Sequence, residues 1–230
     1  MKLLKTIAYG TCLMLLSTAV FAQSRSNETS VEDIYLTNVQ DVIITELANS
    51  QDYDNKLVAL QYLEDSVKSG KVSEEQRVAL KNLAGEGITT RVRQNGRLMN
   101  NFPDIRAKAC DLLGELKTEE SKNALLTIVT EDAEPMVVSA AVRSLGNIGI
   151  NANDEVVNAI AFIQHKYAAL NPTSSLAYEI LDAYEKLAST AQDKKPMIES
   201  VAEIASNYKF ATPVRLKALN LLKSLQSGNN

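Results

Sequence analysis

Apolar residues recur every three or four positions along most of this chain, a spacing that places them on one face of an α-helix. The pattern is clearest from Asp104 to Lys117 and from Pro135 to Ile148. Glycine and proline fall mostly between the periodic stretches, where they end helices or break the chain. The alternation typical of strands is nearly absent. The periodicity therefore predicts an all-α protein whose helices follow one another in pairs.

Two of these helical stretches repeat one phrase. Residues 103–114 and 135–146 share Pro-x-Ile/Val-x-x-x-Ala-x-x-x-Leu-Gly, and weaker copies begin at Ser175 and Pro213. Alanine in the middle of a helix allows a neighbouring helix to approach to an axial distance of about 8–10 Å. One helix pair cannot bury such a face alone, so we expect the pairs to stack on one another.

The shared phrase resembles the first helix of HEAT repeats, in particular the short bacterial kind. Arg106 matches the basic residue that often follows the apolar one in that family, whereas Val138 departs from it. The resemblance implies a right-handed α-solenoid of stacked antiparallel helix pairs, with about four to five repeats that bind other macromolecules along a curved surface. HEAT-like arrays also occur in bilin lyases and in larger enzymes, so the resemblance leaves the function open.

The ends of the chain differ from the repeats. Residues 1–22 have a basic start, an apolar run and small residues before Gln23, which is the order of a secretory signal peptide cleaved after Ala22. The alternative is an uncleaved membrane anchor, for which the run is short. Residues 23–29 read as a flexible leader, 30–227 as one solenoid domain with an inserted loop at 88–102, and 228–230 as a frayed tail. This organisation predicts a secreted or periplasmic protein.

Charge narrows the set of partners. The formal net charge is −4, and loss of Lys2 and Lys5 with the signal peptide brings it to about −6. An acidic chain is a poor ligand for phosphate backbones, so we expect a protein partner rather than nucleic acid. We expect contact with a membrane only where the signal segment is not cleaved. Cleavage leaves Cys110 as the only cysteine, which excludes an internal disulfide in the mature chain.

Catalytic chemistry finds little support in the residues. The chain has one histidine, His165, near the end of a predicted helix, and Cys110 falls in the repeat core. A buried cysteine usually acts as a small apolar residue. Glu131, Asp132 and Glu134 could contact calcium, but the alternating 12-residue loop of the known motif is missing. We therefore expect no catalytic, cofactor-binding or metal site, and a protein that is not an enzyme.

The inserted loop reverses the charge of the chain locally. Arg91, Arg93 and Arg97 lie around Asn95-Gly96, a dipeptide that favours a tight hairpin turn. One interpretation is a solvated loop whose arginines pair with acidic helix starts nearby. The other is a cationic hairpin that docks on an acidic surface of a partner.

The second helices of the pairs offer further candidates for partner binding. Polar residues between their apolar positions are Lys122, Asn123, Thr127, Asn158 and Gln164. The sequence thus favours an exported, non-enzymatic scaffold that binds a protein partner in the cell envelope. The alternative is an accessory or lyase-like subunit that holds a small ligand between repeats. The shortage of histidine and the absence of tryptophan count against that alternative.

Overall fold

The computed structural model describes residues 31–227, with side chains described from Tyr35 to Gln226. The expected signal peptide (1–22), leader (23–29) and frayed tail (228–230) lie outside the described residues. The chain divides into two compact units with a boundary between Val39 and Gln40. The described part of the first unit, 31–39, is helical, and residues 40–227 belong to the second unit. A single domain over 30–227 stays a prediction.

The described residues form ten α-helices, one short 3₁₀ turn and two short strands. The α-helices are α1 (Val31–Asn49), α2 (Tyr53–Ser69), α3 (Glu74–Ala84), α4 (Pro103–Leu116), α5 (Glu119–Glu131), α6 (Pro135–Ile148), α7 (Glu155–Leu170), α8 (Ser174–Leu187), α9 (Lys195–Ser206) and α10 (Thr212–Ser227). The strands are β1 (Arg93–Gln94) and β2 (Arg97–Leu98), and the 3₁₀ turn is Ala152–Asp154. The prediction of an all-α protein is confirmed.

Local chemistry sets the helix boundaries. The Ser73 hydroxyl accepts a hydrogen bond from the Gln76 backbone N–H at 3.2 Å, and the Thr118 hydroxyl does the same for Ser121 at 3.1 Å. Proline opens α4 and α6, where its missing N–H leaves no helical bond unmade. Gly149 ends α6 at φ +71°, a conformation that glycine adopts without strain.

Within residues 40–227 the helices stack as the repeated phrase predicts. The most extensive contacts join the first helices of successive pairs, α4 with α6 and α6 with α8. A Cβ atom on Gly114 would lie 2.6 Å from the Ser144 Cβ atom, and one on Gly146 would lie 2.7 Å from the Ala183 Cα atom. The repeated glycine is therefore a point of close helix approach. Four pairs, α2–α3 to α8–α9, make this an all-α repeat solenoid.

Ion pairs connect successive first helices. Lys108 in α4 lies 2.7 Å from Glu64 in α2. Arg143 in α6 reaches Asp111 in α4 at 2.7 Å and Glu179 in α8 at 2.9 Å. These contacts join residues that are more than thirty positions apart, so they hold neighbouring repeats in one register.

The inserted loop forms the hairpin that its turn sequence predicts. Arg93 pairs with Leu98 and Gln94 with Arg97 in an antiparallel ladder. Asn95 and Gly96 join the strands at φ +50° and +80°, as expected for a two-residue turn with both central residues left-handed. No helix of the described residues is long and apolar enough to span a bilayer.

Candidate functional site

The structure places three of the five second-helix candidates on the surface and two in the interior. Asn123, Thr127 and Asn158 are exposed. Lys122 and Gln164 are each only 2% exposed, so the expectation that they lie on an accessible polar face is corrected. Partner binding by these residues stays a prediction for the exposed three.

Lys122 is buried because it connects two second helices. Its ammonium group donates to the carboxylates of Glu119 and of Glu155, the first residue of α7. Burial disfavours the charged ammonium, but the two carboxylates outweigh it, so the net effect raises the pKa of Lys122. The charge of this residue is used inside the array and is not offered to a partner.

The three arginines of the hairpin differ from Lys122 in burial and in pairing with carboxylates. We call residues 91–98 the arginine hairpin. Arg91, Arg93 and Arg97 are exposed, and among the described residues none of them reaches a carboxylate. Arg91 donates to the Ile88 carbonyl at 3.0 Å and Arg93 to the Gly96 carbonyl at 3.3 Å. Pairing with acidic helix starts, one interpretation of the sequence, is not what the structure contains.

A buried polar network holds the base of the arginine hairpin. Asn100 is 2% exposed, and its side-chain amide donates to the Glu86 carboxylate at 2.7 Å and to the Thr90 backbone carbonyl at 2.6 Å. The side-chain oxygen of Asn100 accepts from the Val92 N–H at 2.9 Å. Lys56 of α2, 1% exposed, donates to the other Glu86 oxygen at 2.9 Å. Buried groups that are fully hydrogen-bonded make a rigid support.

Arg106 extends this network into the repeats. Its Nε donates to an Asp132 oxygen at 2.8 Å, and its Nη1 donates to the Asn101 side chain at 2.9 Å and to the Glu86 carbonyl at 3.2 Å. The side chains of Arg106 and Asp132 are each 2% exposed. The basic residue of the repeat phrase therefore anchors the inserted segment to the turn between α5 and α6.

A groove of about 470 Å³ lies across the first helices α4, α6 and α8. We call it the first-helix groove; its lining includes Ala107, Asp111, Met136, Ser139, Arg143 and Ser175. Thr173 also lines it, and its hydroxyl finds no hydrogen-bond partner among the described residues. The volume lies in the range that holds small organic ligands, and the wall is mixed, with Asp111, Ser139 and Arg143 beside apolar residues such as Met136.

The two candidate catalytic residues have structural surroundings. Cys110 is fully buried, and burial raises the pKa of its thiol far above the usual value, so it stays protonated. The His165 Nδ1 atom lies 2.9 Å from a Glu203 oxygen on an exposed surface between α7 and α9. Among the described residues, no three metal-ligating side chains come together.

Residues 97–165 match the family model for HEAT repeats. The match spans the second strand of the arginine hairpin and helices α4 to α7, which are the stacked pairs with the clearest copies of the phrase. This part of the chain is thus similar to HEAT repeats in sequence. The resemblance seen in the residues is confirmed there, and the all-α repeat fold is confirmed with it.

One solved structure shares the HEAT-repeat fold over nearly the whole chain. It is the complex of CpcE and CpcF of phycocyanin lyase from Nostoc sp. PCC7120, with a TM-score of 0.57 and 13% sequence identity, covering 90% of this chain and 69% of that one. At this identity the likeness is one of fold. No curated protein matches the sequence.

The expectation that this protein is not an enzyme is corrected by that likeness. The same fold occurs in a protein complex that is a phycocyanin lyase, so the architecture does not support a firm exclusion of enzymatic activity. The expectation rested on the lack of a catalytic set within one chain. A subunit that works with a partner, or that holds a reactive small molecule, does not need such a set.

Sequence reasoning also missed Phe162, an aromatic residue on the second-helix surface. It is 58% exposed and follows exposed Asn158 by one helical turn on α7. Helical periodicity assigns an apolar residue to the core, and the pattern alone holds no signal that separates this position from a buried one. Exposed aromatic residues are frequent anchors of protein interfaces.

Proposed function

We propose that this protein is an accessory or lyase-like subunit that binds a protein partner and holds a small ligand in the first-helix groove. The observation that carries the proposal is the groove itself. It has about 470 Å³ of space across three successive repeats and a wall of mixed polar and apolar residues. The shared fold with a lyase complex of two different proteins supports this reading over a scaffold that only binds protein.

The groove has features suited to holding and orienting a ligand. Arg143 stands at its side with its guanidinium fixed by Asp111 and Glu179, so it offers a positioned rather than a mobile cation. Exposed Met136 provides a polarisable apolar contact at the rim. Ser139 and exposed Ser175 add hydroxyl groups to the lining. These groups suit a molecule that presents both apolar surface and polar substituents.

Purification of the protein from its native organism tests whether it carries a bound ligand. The wild-type protein should carry a small molecule that absorption spectra and intact-mass measurements detect. Exposed Ser175 lines the groove, so Ser175→Trp should displace the ligand by filling the space without disturbing the core. Ser206→Trp, at an exposed position at the end of α9, is the matched control and should retain it. A wild-type protein that carries no ligand, or equal retention in both variants, would contradict this part of the proposal.

Partner binding is tested separately by cross-linking in native cells. One protein captured in a fixed ratio supports the subunit role. The exposed residues Asn158 and Phe162 give a variant for mapping, since their joint replacement by alanine should weaken capture if the second helices contribute. The absence of any captured protein would count against the proposal.

We also propose that the protein is exported and meets its partner in the cell envelope. The support is the sequence of residues 1–22, with Lys2 and Lys5 before the apolar run and Ala22 before Gln23. Sequencing of the N-terminus of the native protein should yield Gln23 as the first residue. An intact Met1 on protein from the cytoplasmic fraction would overturn this localisation.

A further inference from the structure

We propose that the arginine hairpin is a preformed docking element for an acidic peptide segment of the protein partner, which deepens and rests on the proposed function. The observation behind it is a cluster of unpaired guanidinium groups on a rigid base in an otherwise acidic protein. Arginine forms bidentate hydrogen bonds with carboxylates, so the chemistry of the hairpin matches aspartate and glutamate side chains.

Backbone hydrogen bonds and one close backbone contact hold together the two ends of the segment that carries the arginine hairpin. The Gly87 N–H donates to the Thr90 carbonyl at 3.0 Å, and the Met99 N–H donates to the Val92 carbonyl at 2.8 Å. A Cβ atom on Gly87 would lie 2.5 Å from the Asn100 carbonyl oxygen, so the two ends of the segment meet as closely as glycine allows. A backbone fixed in this way reduces the ordering entropy that binding would otherwise cost.

The surroundings of the hairpin select one of its two sides. On one side a groove of about 210 Å³ has Arg91 and Arg93 on one wall and the exposed carboxylates of Glu131 and Glu134 on the other. Those carboxylates repel an acidic chain. On the opposite side lies a groove of about 360 Å³, lined by Gln51, Val92, Arg93, Gln94, Met99 and Asn100, which we call the side groove.

Among the described residues, no carboxylate lines the side groove, and Arg93 is the only charged residue that does. Met99 is 49% exposed there, and Val92 is half-buried. A methionine adapts its shape to varied apolar side chains. The occupant is therefore an acidic segment that carries at least one apolar side chain, with a carboxylate on Arg93 and the apolar group against Met99.

A direct binding measurement on the full chain tests this assignment. The probe is a short fluorescein-labelled peptide rich in Glu with one Leu, compared with a counterpart that has Gln in place of each Glu. We expect the Glu peptide to bind about tenfold or more tightly than its counterpart, and increasingly so at low salt. Equal binding of the two peptides overturns the proposal.

Two triple variants sharpen the test. Arg91→Ser/Arg93→Ser/Arg97→Ser should lose the preference for the Glu peptide with no change in the thermal melt, because the arginines are exposed. Lys195→Ser/Lys209→Ser/Lys223→Ser removes the same charge from exposed positions elsewhere and should bind as the wild type does. Unchanged binding in the arginine variant overturns the proposal.

Position and shape are tested independently of charge. Gly96→Val keeps every arginine but strains the turn at φ +80°, so it should weaken peptide binding. Met99→Asp places a carboxylate in the side groove and should also weaken peptide binding. Leu216→Asp, at a similarly exposed apolar residue of α10, should not. Wild-type binding by Gly96→Val and Met99→Asp overturns the assignment of a preformed hairpin and of the side groove.

Binding of other polyanions tests whether the hairpin is specific for acidic peptides. Equally tight, arginine-dependent binding of single-stranded DNA or of anionic phospholipid vesicles would show a general polyanion surface and overturn the proposal. Failure of the hairpin proposal is distinguishable from failure of the proposed function. In the first case the native partner is captured equally by the wild type and the arginine variant; in the second, the wild type captures no partner at all.

Discussion

The central repeats and the inserted loop at residues 88–102 are neighbours that are stabilised by different kinds of contact. Where α4, α6 and α8 meet, small residues allow backbones to approach, and Gly146 packs directly against Ala183. At the base of the inserted loop, buried ion pairs provide the stabilising contacts: Glu86 is bonded to Lys56, and Arg106 is bonded to Asp132. The repeats thus depend on the size of the residues where helices meet, and the inserted loop depends on buried ion pairs. Substitutions in the two regions should therefore lower the free energy of unfolding for different reasons.

The largest effect is expected at Arg106, where the two regions join. Arg106→Met leaves the Asp132 carboxylate buried without its cation, and loss of one member of such a pair costs about 3–5 kcal/mol. The free energy of unfolding from urea titration measures it. Amide exchange should also speed up across residues 86–101, because Arg106 donates to the Glu86 carbonyl and to Asn101.

A matched control exists in α10. Arg215 is the fourth residue of its helix, as Arg106 is of α4, but it is half-buried and its Nε atom has no partner among the described residues. Arg215→Met should therefore cost less than about 1 kcal/mol. Equal losses at the two positions would mean that the buried pair does not anchor the insertion.

The next effect is expected at the close approach of the repeats. Gly146→Val forces a side chain into the Ala183 backbone, 2.7 Å from its Cα atom, and should cost about 3 kcal/mol through overpacking. The same measurement on Asn147→Ala, at the exposed neighbouring position, should show a loss of about 0.5 kcal/mol or less. A tolerated valine at 146 would show that the repeats are not set by helix proximity.

A smaller effect is expected where the repeats use charge at their surface. Arg143→Met removes the hydrogen bonds to Asp111 and Glu179 from a side chain that is 37% exposed, so solvent screening limits the loss to roughly 1 kcal/mol. A double-mutant cycle with Asp111→Asn measures the coupling. Coupling as large as that between Arg106 and Asp132 would erase the distinction drawn between surface and buried pairs.

The smallest effect is a pH dependence at Glu64. Hydrogen bonds from Lys108 and then Lys68 lower the pKa of Glu64 from 4.5 to about 2. The contribution of Glu64 to the free energy of unfolding is thus present above its unfolded-state pKa, and it is lost as pH falls from about 5 toward 2. After screening we expect about 0.5 kcal/mol or less. Over that pH range, unfolding titrations of Glu64→Gln should show a smaller loss of stability than the wild type; identical pH profiles would contradict the assignment.

The repeated phrase allowed most of the fold to be predicted from the sequence, because helix packing depends on residue size and spacing. Pro103, Pro135 and Gly149 lie where their backbone preferences place them. The site could be predicted only in part. The Asn95-Gly96 turn indicated the hairpin, but Lys122 and Gln164 looked like surface residues, since spacing does not distinguish a polar residue facing a neighbouring repeat from one facing water.

The sequence by itself determined that this protein is a stack of helix pairs with an interrupted, arginine-bearing insertion. Both conclusions rest on local patterns, which each segment carries in its own residues. The tertiary structure decided which charges are used internally and which remain free. Lys56 meets Glu86, Arg106 meets Asp132 and Lys122 meets Glu155 across separations that no local pattern encodes, and the arginines of the hairpin meet no carboxylate among the described residues. Pairing across space depends on how the repeats stack, so only the folded array separates structural charges from those available to a partner.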